Sequence, residues 1–228
     1  ESGMKEQQEP LTTRQFWADQ WANKKEHGLP FNPRRGSFGS IHKLLQKILP
    51  HDSKLSFLEI GCYPGRFMWY FERFFGYRVE GVEYIDWCCE RTGELLLRAG
   101  VNSAAVHYLD FISWEPEAHE QWDVVASFGF AEHFSDYVDI VAKHARLVRP
   151  GGWLVLEIPN HTGFYGRILK ILDPVAWSVH NRIGLEQLES SVARIEEMQI
   201  IAAKPCGKFS LAHVCLLERS RKAGRLIH

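Results

Sequence analysis

Residues 56–65 carry the feature that most constrains the fold, an apolar strand pattern that runs directly into a turn between two glycines and then into a helix. Gly61 permits a tight turn at the end of the strand, and Gly65 leaves the backbone bare where the helix begins. Ligands of open α/β sheets bind beyond the carboxyl ends of the strands, where the strand order reverses. The sequence therefore predicts an α/β sheet with a ligand site at this turn.

Apolar strand patterns alternate with helical patterns along most of the chain. This alternation is typical of βαβ units, whose parallel strands form one sheet between two layers of helices. The last two strand patterns, at 200–204 and 212–217, fit an antiparallel pair. We therefore predict a doubly wound α/β fold with a mainly parallel sheet. Residues 159–181, rich in glycine, proline and aromatic residues, are expected to be irregular.

The chain has 228 residues, enough for one domain with a sizeable core and a modest addition. Helical patterns at 12–26 and 37–49 precede the first strand. We expect residues 1–50 to form an N-terminal helical cap on a core at 51–228, the two making a single structural domain.

Composition argues against several classes of protein. The net charge is −1, whereas nucleic-acid-binding domains usually carry a strongly basic surface. The five cysteines are odd in number and form no CxxC pair, which argues against a disulfide framework and a zinc site. We therefore expect no metal. Because no run of about 20 apolar residues and no N-terminal apolar segment occurs, we expect a cytoplasmic protein without a membrane span.

The spacing of the turn distinguishes two classes of cofactor. A dinucleotide-binding turn has glycines at three positions, which are occupied here by Glu59, Gly61 and Pro64. A carboxylate is poorly placed beside an anionic pyrophosphate, which binds bare amides at a helix N-terminus. A cationic sulfonium with an amino-acid tail tolerates a nearby carboxylate. The spacing therefore favours S-adenosylmethionine over a nicotinamide dinucleotide.

Two further acids stand at successive strand ends. Glu83 ends the second strand, where a carboxylate can accept hydrogen bonds from vicinal ribose hydroxyls. Asp110 ends the third strand, where it can accept from an adenine amine beside a wall formed by Tyr84, Ile85 and Phe111. One acid at a strand end is as often solvated as bound to a ligand, but three in succession favour a shared ligand.

An ordered set of short stretches runs through roughly residues 40–218. The stretches are Glu59 to Gly61 with Gly65, Glu83, Asp110 with Phe111, Ser127 to His133, and Leu147 to Gly152. Together they resemble the class I S-adenosylmethionine-dependent methyltransferases, in the small-molecule branch. The resemblance implies a seven-stranded sheet whose last strand is antiparallel to the rest, and S-adenosylmethionine as cofactor.

The resemblance also implies which residues contact the cofactor. Gly61 and Gly65 would shape the methionine pocket, while Glu83 would hold the ribose and Asp110 would meet the adenine. Tyr63 departs from the family, which often has a glycine there, and its phenol would either crowd the methionine or face the acceptor. The full set of expected cofactor contacts is Glu59, Gly61, Cys62, Tyr63, Gly65, Glu83, Tyr84, Asp110, Phe111 and Ser127.

Two histidines are candidates for the chemistry. Methyl transfer from a sulfonium is an in-line displacement that requires alignment and exclusion of water. A hydroxyl acceptor must also lose its proton, a task that suits a histidine. His133 follows the fourth strand at the family's acceptor-facing position, and His180 lies in the segment before the penultimate helix. Each also has a structural interpretation. His133 could cap the helix that follows it, and His180 could be a solvated loop residue.

Aromatic residues outside the predicted strands indicate either additional core packing or a lid over an apolar acceptor pocket. They are Trp17 and Trp21 near the N-terminus, and Phe164, Tyr165 and Trp177 in the late insertion.

We predict O-methylation of a small-molecule acceptor. Residues 127–130 lack the Asn/Asp-Pro-Pro-aromatic tetrad that adenine and glutamine methyltransferases commonly carry, which again argues against nucleic acid. Transfer to nitrogen or carbon on the same fold stays open, as does a non-catalytic protein that only binds the cofactor.

Overall fold

The computed structural model describes residues 10–23, 29–36, 38–117, 119–207 and 212–220. Helices and strands alternate along this part of the chain, with a 3-10 turn at Ala131–His133 after the fourth strand. The helices are α1 Arg14–Asn23, α2 Phe38–Ile48, α3 Arg66–Phe75, α4 Asp86–Arg98, α5 Tyr137–Arg146, α6 Phe164–Leu172, α7 Pro174–Ser178 and α8 Leu185–Val192. The strands are β1 Ser56–Ile60, β2 Arg78–Glu83, β3 Ala105–Tyr108, β4 Trp122–Phe128, β5 Val148–Pro159, β6 Met198–Cys206 and β7 Ala212–Arg219.

These strands form a seven-stranded sheet in the order β3-β2-β1-β4-β5-β7-β6. β1 pairs in parallel with β2 on one side and β4 on the other, so the strand order reverses between β1 and β4. β7 pairs antiparallel with both β5 and β6. The predicted doubly wound fold and the antiparallel last strand are confirmed.

The sheet separates two apolar cores. In β1, Phe57 faces the core that α2 and α3 cover, whereas Leu58 faces the core that α5 and α8 cover, and both side chains are fully buried. Burial on both faces is what a parallel sheet between helical layers requires. The packed sheet therefore fixes the carboxyl ends of β1, β2 and β4 along one edge.

The turn between β1 and α3 has the backbone that its glycines predict. Gly61 and Gly65 adopt φ angles of 73° and 85°, a left-handed region that side chains disfavour. Gly76 ends α3 in the same conformation, and its amide donates to the carbonyl of Glu72 at 2.9 Å. The predicted strand, turn and helix are confirmed.

Residues 159–181 hold α6 and α7, so the expectation of an irregular segment there is wrong. The side chain of Asp173 accepts a hydrogen bond from the Ala176 amide at 2.9 Å, and Pro174 occupies the first helical position. These are ordinary start signals for a helix. β5 already begins at Val148, which pairs with Trp122 ahead of an irregular step in the ladder.

The N-terminal segment is attached to the core beside the 3-10 turn. The Leu11 amide donates to the His133 carbonyl at 2.8 Å, and Pro10 forms a β-bridge with Phe134. α1 has no fully buried residue, so it lies on the surface as a cover. Two predicted helix bounds lie outside the described residues: the end of the first helix near residue 26 and the start of the second at residue 37. Among the described helices, none combines the length and apolar character that a membrane span needs.

Candidate active site

A cavity of about 410 Å³ lies beyond the carboxyl ends of β1, β2 and β4, beneath α1. Ligands of doubly wound sheets bind at this kind of edge, where the strand order reverses. The cavity is lined by Pro10, Thr12, Thr13, Arg14, Trp17, Trp21, Gly61, Val82, Glu83, Tyr84, Leu109, Asp110, Phe111, Ile112, Gly129, Phe130, His133 and Phe134. The turn, the acidic strand ends and the cap therefore meet at one place.

Glu83 lines this cavity from the end of β2, with 6% of its surface exposed. Its Oε1 accepts hydrogen bonds from the amides of Tyr84 at 2.9 Å and Ile85 at 3.0 Å. Burial raises the pKa of Glu83, and the amide hydrogen bonds partly offset this because they favour the ionised form. The backbone thus fixes a carboxylate that keeps further lone pairs for a ligand.

Asp110 and Phe111 line the same cavity after β3. The Asp110 Oδ1 accepts from the Ile112 amide at 3.0 Å. The buried Phe111 ring lies 5.6 Å from Phe130, and the guanidinium of Arg14 lies 5.1 Å from the centre of the Tyr84 ring. The cavity therefore has an acidic and aromatic end next to β2 and β3.

Glu59 near the end of β1, and Cys62 and Gly65 in the turn, do not line the cavity. The buried Glu59 carboxylate accepts from the Met68 amide at 3.1 Å, so it secures the first turn of α3. Burial raises the pKa of Glu59 well above its usual range. A Cβ on Gly65 would stand 2.9 Å from the Leu96 side chain, so this glycine is required for packing against α4.

Two other predicted contacts also lie outside the cavity lining. The Tyr63 ring lies 5.2 Å from Trp21 of α1 and 5.6 Å from Trp87 of α4. It therefore connects the turn to the cap. Ser127 is buried within β4, with 1% of its surface exposed.

The two predicted histidines are neighbours. The His133 ring lines the cavity, 4.8 Å from Trp17 and 4.4 Å from His180, which does not line it. The His133 Nδ1 donates to the Val179 carbonyl at 2.8 Å, so in the neutral ring the lone pair is on Nε2. That Nε2 lies 3.6 Å from a carboxylate oxygen of Glu132.

Glu132 is a polar residue whose burial the sequence did not indicate. Its side chain is fully buried, and neither carboxylate oxygen has a hydrogen-bond partner. Burial raises the pKa of Glu132 well above its usual range, and the charge of Glu157 raises it further. Burial likewise raises the pKa of Glu157 to about 7. The only sequence signal was a carboxylate directly before His133 at a strand end.

The cap contributes cavity residues that sequence reasoning also missed. Thr12 and Thr13 line the cavity together with Arg14, whose guanidinium donates to the Tyr108 hydroxyl at 3.1 Å. Of the aromatic lid candidates, Trp17 and Trp21 line the cavity, whereas Phe164 is 78% exposed. Nothing local in the sequence reveals these contacts, because they depend on where the cap is attached.

Residues 34–210 match the family model described as a methyltransferase domain. The chain therefore belongs to this family, and with its class I Rossmann-like sheet it is an S-adenosylmethionine-dependent methyltransferase. Its cofactor is S-adenosylmethionine.

Solved structures share this fold. A SAM-dependent methyltransferase from Aquifex aeolicus gives a TM-score of 0.65 at 12% identity, over 84% of this chain and 95% of that chain. The plantazolicin methyltransferase BpumL was solved in complex with a triazolic desmethylPZN analog and SAH. It gives a TM-score of 0.62 at 12% identity, over 81% of this chain and 83% of that chain.

A curated relative extends the comparison to sequence. The tRNA U34 carboxymethyltransferase of Idiomarina loihiensis is 32% identical over 127 residues, which cover 49% of this chain and 36% of that protein. This chain thus matches about a third of the length of that relative.

Proposed function

We propose that this enzyme transfers the methyl group of S-adenosylmethionine to a hydroxyl group of a small, largely apolar molecule. The observation that carries the proposal is the place of His133, in the wall of a covered aromatic cavity with a lone pair on Nε2. A hydroxyl must lose its proton as the methyl arrives, and an imidazole lone pair is suited to take it.

The cofactor is proposed to lie along the cavity from the turn to β3. Gly61 would border its methionine part, Glu83 would accept from the ribose hydroxyls, and Asp110 with Phe111 would hold the adenine. Glu59 and Gly65 are proposed to act indirectly, since they secure the turn against α3 and α4.

Replacement of Glu83 tests the ribose contact. Glu83→Ala should weaken S-adenosylhomocysteine binding by about 1–3 kcal/mol, because the ribose hydroxyls then lose an acceptor in a partly buried site. Glu83→Gln should cost less, since its amide oxygen still accepts. Titration calorimetry measures both variants.

The control for this measurement is Glu80→Ala, on the same strand but paired with His107 away from the cavity. This variant should bind S-adenosylhomocysteine with the same affinity as the unchanged protein. If Glu83→Ala binds S-adenosylhomocysteine with unchanged affinity, a residue other than Glu83 must contact the ribose.

An RNA acceptor is the second candidate, because a relative is named a tRNA carboxymethyltransferase. Two features weigh against it here. The net charge is −1, whereas binding to the phosphate backbone depends on basic residues. α1 also covers the acceptor end, with Trp17 and Trp21 in the cavity wall.

The acceptor class is tested with S-adenosylmethionine that carries a deuterated methyl group. The enzyme is incubated with a panel of phenols, sugars, amines and carbon acids, and separately with tRNA, and mass spectrometry locates the label. Label on hydroxyl oxygen of small molecules is expected. The proposal is contradicted if the label appears only on nitrogen, on carbon or on RNA. It is also contradicted if the cofactor binds but its methyl group is transferred to no acceptor.

The cap is proposed to act as a lid. α1 has no fully buried residue, yet Trp17 and Trp21 line the cavity, so filling the cavity should hold α1 down. Residues 12–23 and 161–180 should exchange amide hydrogens more slowly when cofactor and acceptor are bound. Mass spectrometry of peptides measures this, with β6 at the far edge of the sheet as the unchanged control. Equal exchange of both segments with and without ligands would rule out a lid.

A further inference from the structure

Three side chains form a cluster at the cavity wall, where His133 is one of the lining residues. Glu132 and His133 come from the 3-10 turn after β4, and His180 follows α7. One nitrogen or oxygen atom from each lies within 4.8 Å of the other two. Because Glu132 and His133 are buried and His180 is half-buried, the cluster is shielded from bulk solvent.

The hydrogen bonds of the two rings define where their lone pairs are. The Nδ1 of His133 contacts the Val179 carbonyl, and the Nδ1 of His180 contacts the Ala176 carbonyl. A carbonyl only accepts, so each Nδ1 carries the hydrogen and each Nε2 carries a lone pair in the neutral ring. A backbone carbonyl behind one imidazole nitrogen is the usual arrangement of a metal-binding histidine.

Glu132 adds an independent observation. Both of its oxygens are buried and receive no hydrogen bond, although buried polar groups are nearly always satisfied. The contact recorded for them is the 3.6 Å approach of His133 Nε2, which is itself a lone-pair atom in this tautomer. A buried acid that receives no hydrogen bond and lies within 4.8 Å of two imidazole nitrogens is an arrangement that a bound cation would satisfy.

We propose that Glu132, His133 and His180 bind one divalent transition-metal ion. Two imidazoles and one carboxylate are a ligand set that zinc, cobalt, manganese and iron accept. Ligand atoms about 2.1 Å from one ion stand about 3–4 Å apart, so small side-chain rotations close the cluster. The proposal departs from the expectation of no metal, which was based on the number and spacing of the cysteines, because no cysteine takes part.

The site opens toward the acceptor end of the cavity. Glu132 Oε1 lies 3.3 Å from where a Cβ on Gly129 would stand, and Gly129 lines the cavity, as does His133. With no side chain at Gly129, an acceptor oxygen can approach the ion, which would lower the pKa of a bound hydroxyl. With the ion bound, the Nε2 lone pair of His133 is engaged, so the ion would take over from His133 the task of easing proton loss. This catalytic consequence depends on the proposed function; metal binding does not.

The test uses the untagged full chain, freed of metal with a chelator and titrated with Zn²⁺ in a calorimeter. Co²⁺ is titrated in parallel and followed by its visible absorption. One equivalent of Zn²⁺ is expected to bind, to displace Co²⁺, and to raise the melting temperature by mass action.

Glu132→Gln and His180→Ala should each weaken Zn²⁺ binding by more than about 100-fold, because loss of even an outer partner of a metal ligand costs about 10–100-fold. His107→Ala, which breaks a histidine–glutamate pair outside the cluster, should bind Zn²⁺ normally. Binding of S-adenosylhomocysteine shows that each variant is folded. The proposal is overturned if Zn²⁺ does not bind stoichiometrically, or if both cluster variants still bind it normally. Neither outcome bears on methyl transfer itself.

Discussion

His133→Ala is expected to lower turnover by about 10²–10⁴-fold, the usual cost of losing a general base. Affinity for S-adenosylhomocysteine should barely change, because Glu83, Asp110 and the turn are intact. The loss of turnover is expected because the His133 ring lines the proposed acceptor end of the cavity, with its Nδ1 hydrogen-bonded to the Val179 carbonyl. The same loss follows if His133 acts by holding the proposed ion. Initial rates with the acceptor found in the panel, together with calorimetry of the cofactor product, measure the two effects.

His133→Asn separates chemistry from structure. The asparagine amide can still donate to the Val179 carbonyl but has no titrating nitrogen, so its turnover should fall as far as that of the alanine variant. His107→Ala, outside the cavity lining, is the matched control and should keep full turnover. Near-normal rates for His133→Asn would make His133 a structural residue and favour amine or carbon methylation.

Gly61→Val is expected to weaken S-adenosylhomocysteine binding by about 100-fold or more, since backbone strain and overpacking cost about 1–3 kcal/mol each. Gly61 has a φ of 73°, and a Cβ there would stand 2.9 Å from the Phe130 ring. Because Phe130 lines the same cavity, the new side chain either pushes that ring into the space for the cofactor or moves the turn.

Gly93→Val serves as the control, because a Cβ on Gly93 of α4 meets no atom within 4 Å. Its cofactor affinity should match that of the unchanged protein. Circular dichroism shows whether the Gly61 variant is folded. Tight binding by a folded Gly61→Val protein would place the methionine part of the cofactor elsewhere.

Local signals predicted much of this fold. β1 and the turn after it match the pattern predicted at 56–65, because apolar spacing and the two glycines act within a few residues. Five of the ten predicted cofactor contacts line the cavity and five do not. Gly61 and Gly65 share a left-handed backbone, yet only Gly61 borders the cavity, while Gly65 packs on α4.

The errors have equally physical causes. The glycine and aromatic content of residues 159–181 predicts a loop, yet Asp173 and Pro174 form the start signal of α7. The role of α1 as a cover depends on contacts between Leu11 and His133, which are far apart in sequence. The buried Glu132 was not foreseen, since an acid after a strand is usually solvated.

Calorimetric titration of the unchanged protein with S-adenosylhomocysteine tests the central claim most directly. We predict binding at one site per chain that is weakened by Glu83→Ala and weakened further in Gly61→Val, because we place the cofactor in the cavity at the carboxyl ends of β1 and β2. Absence of binding at millimolar ligand, or binding that neither substitution alters, would contradict this account.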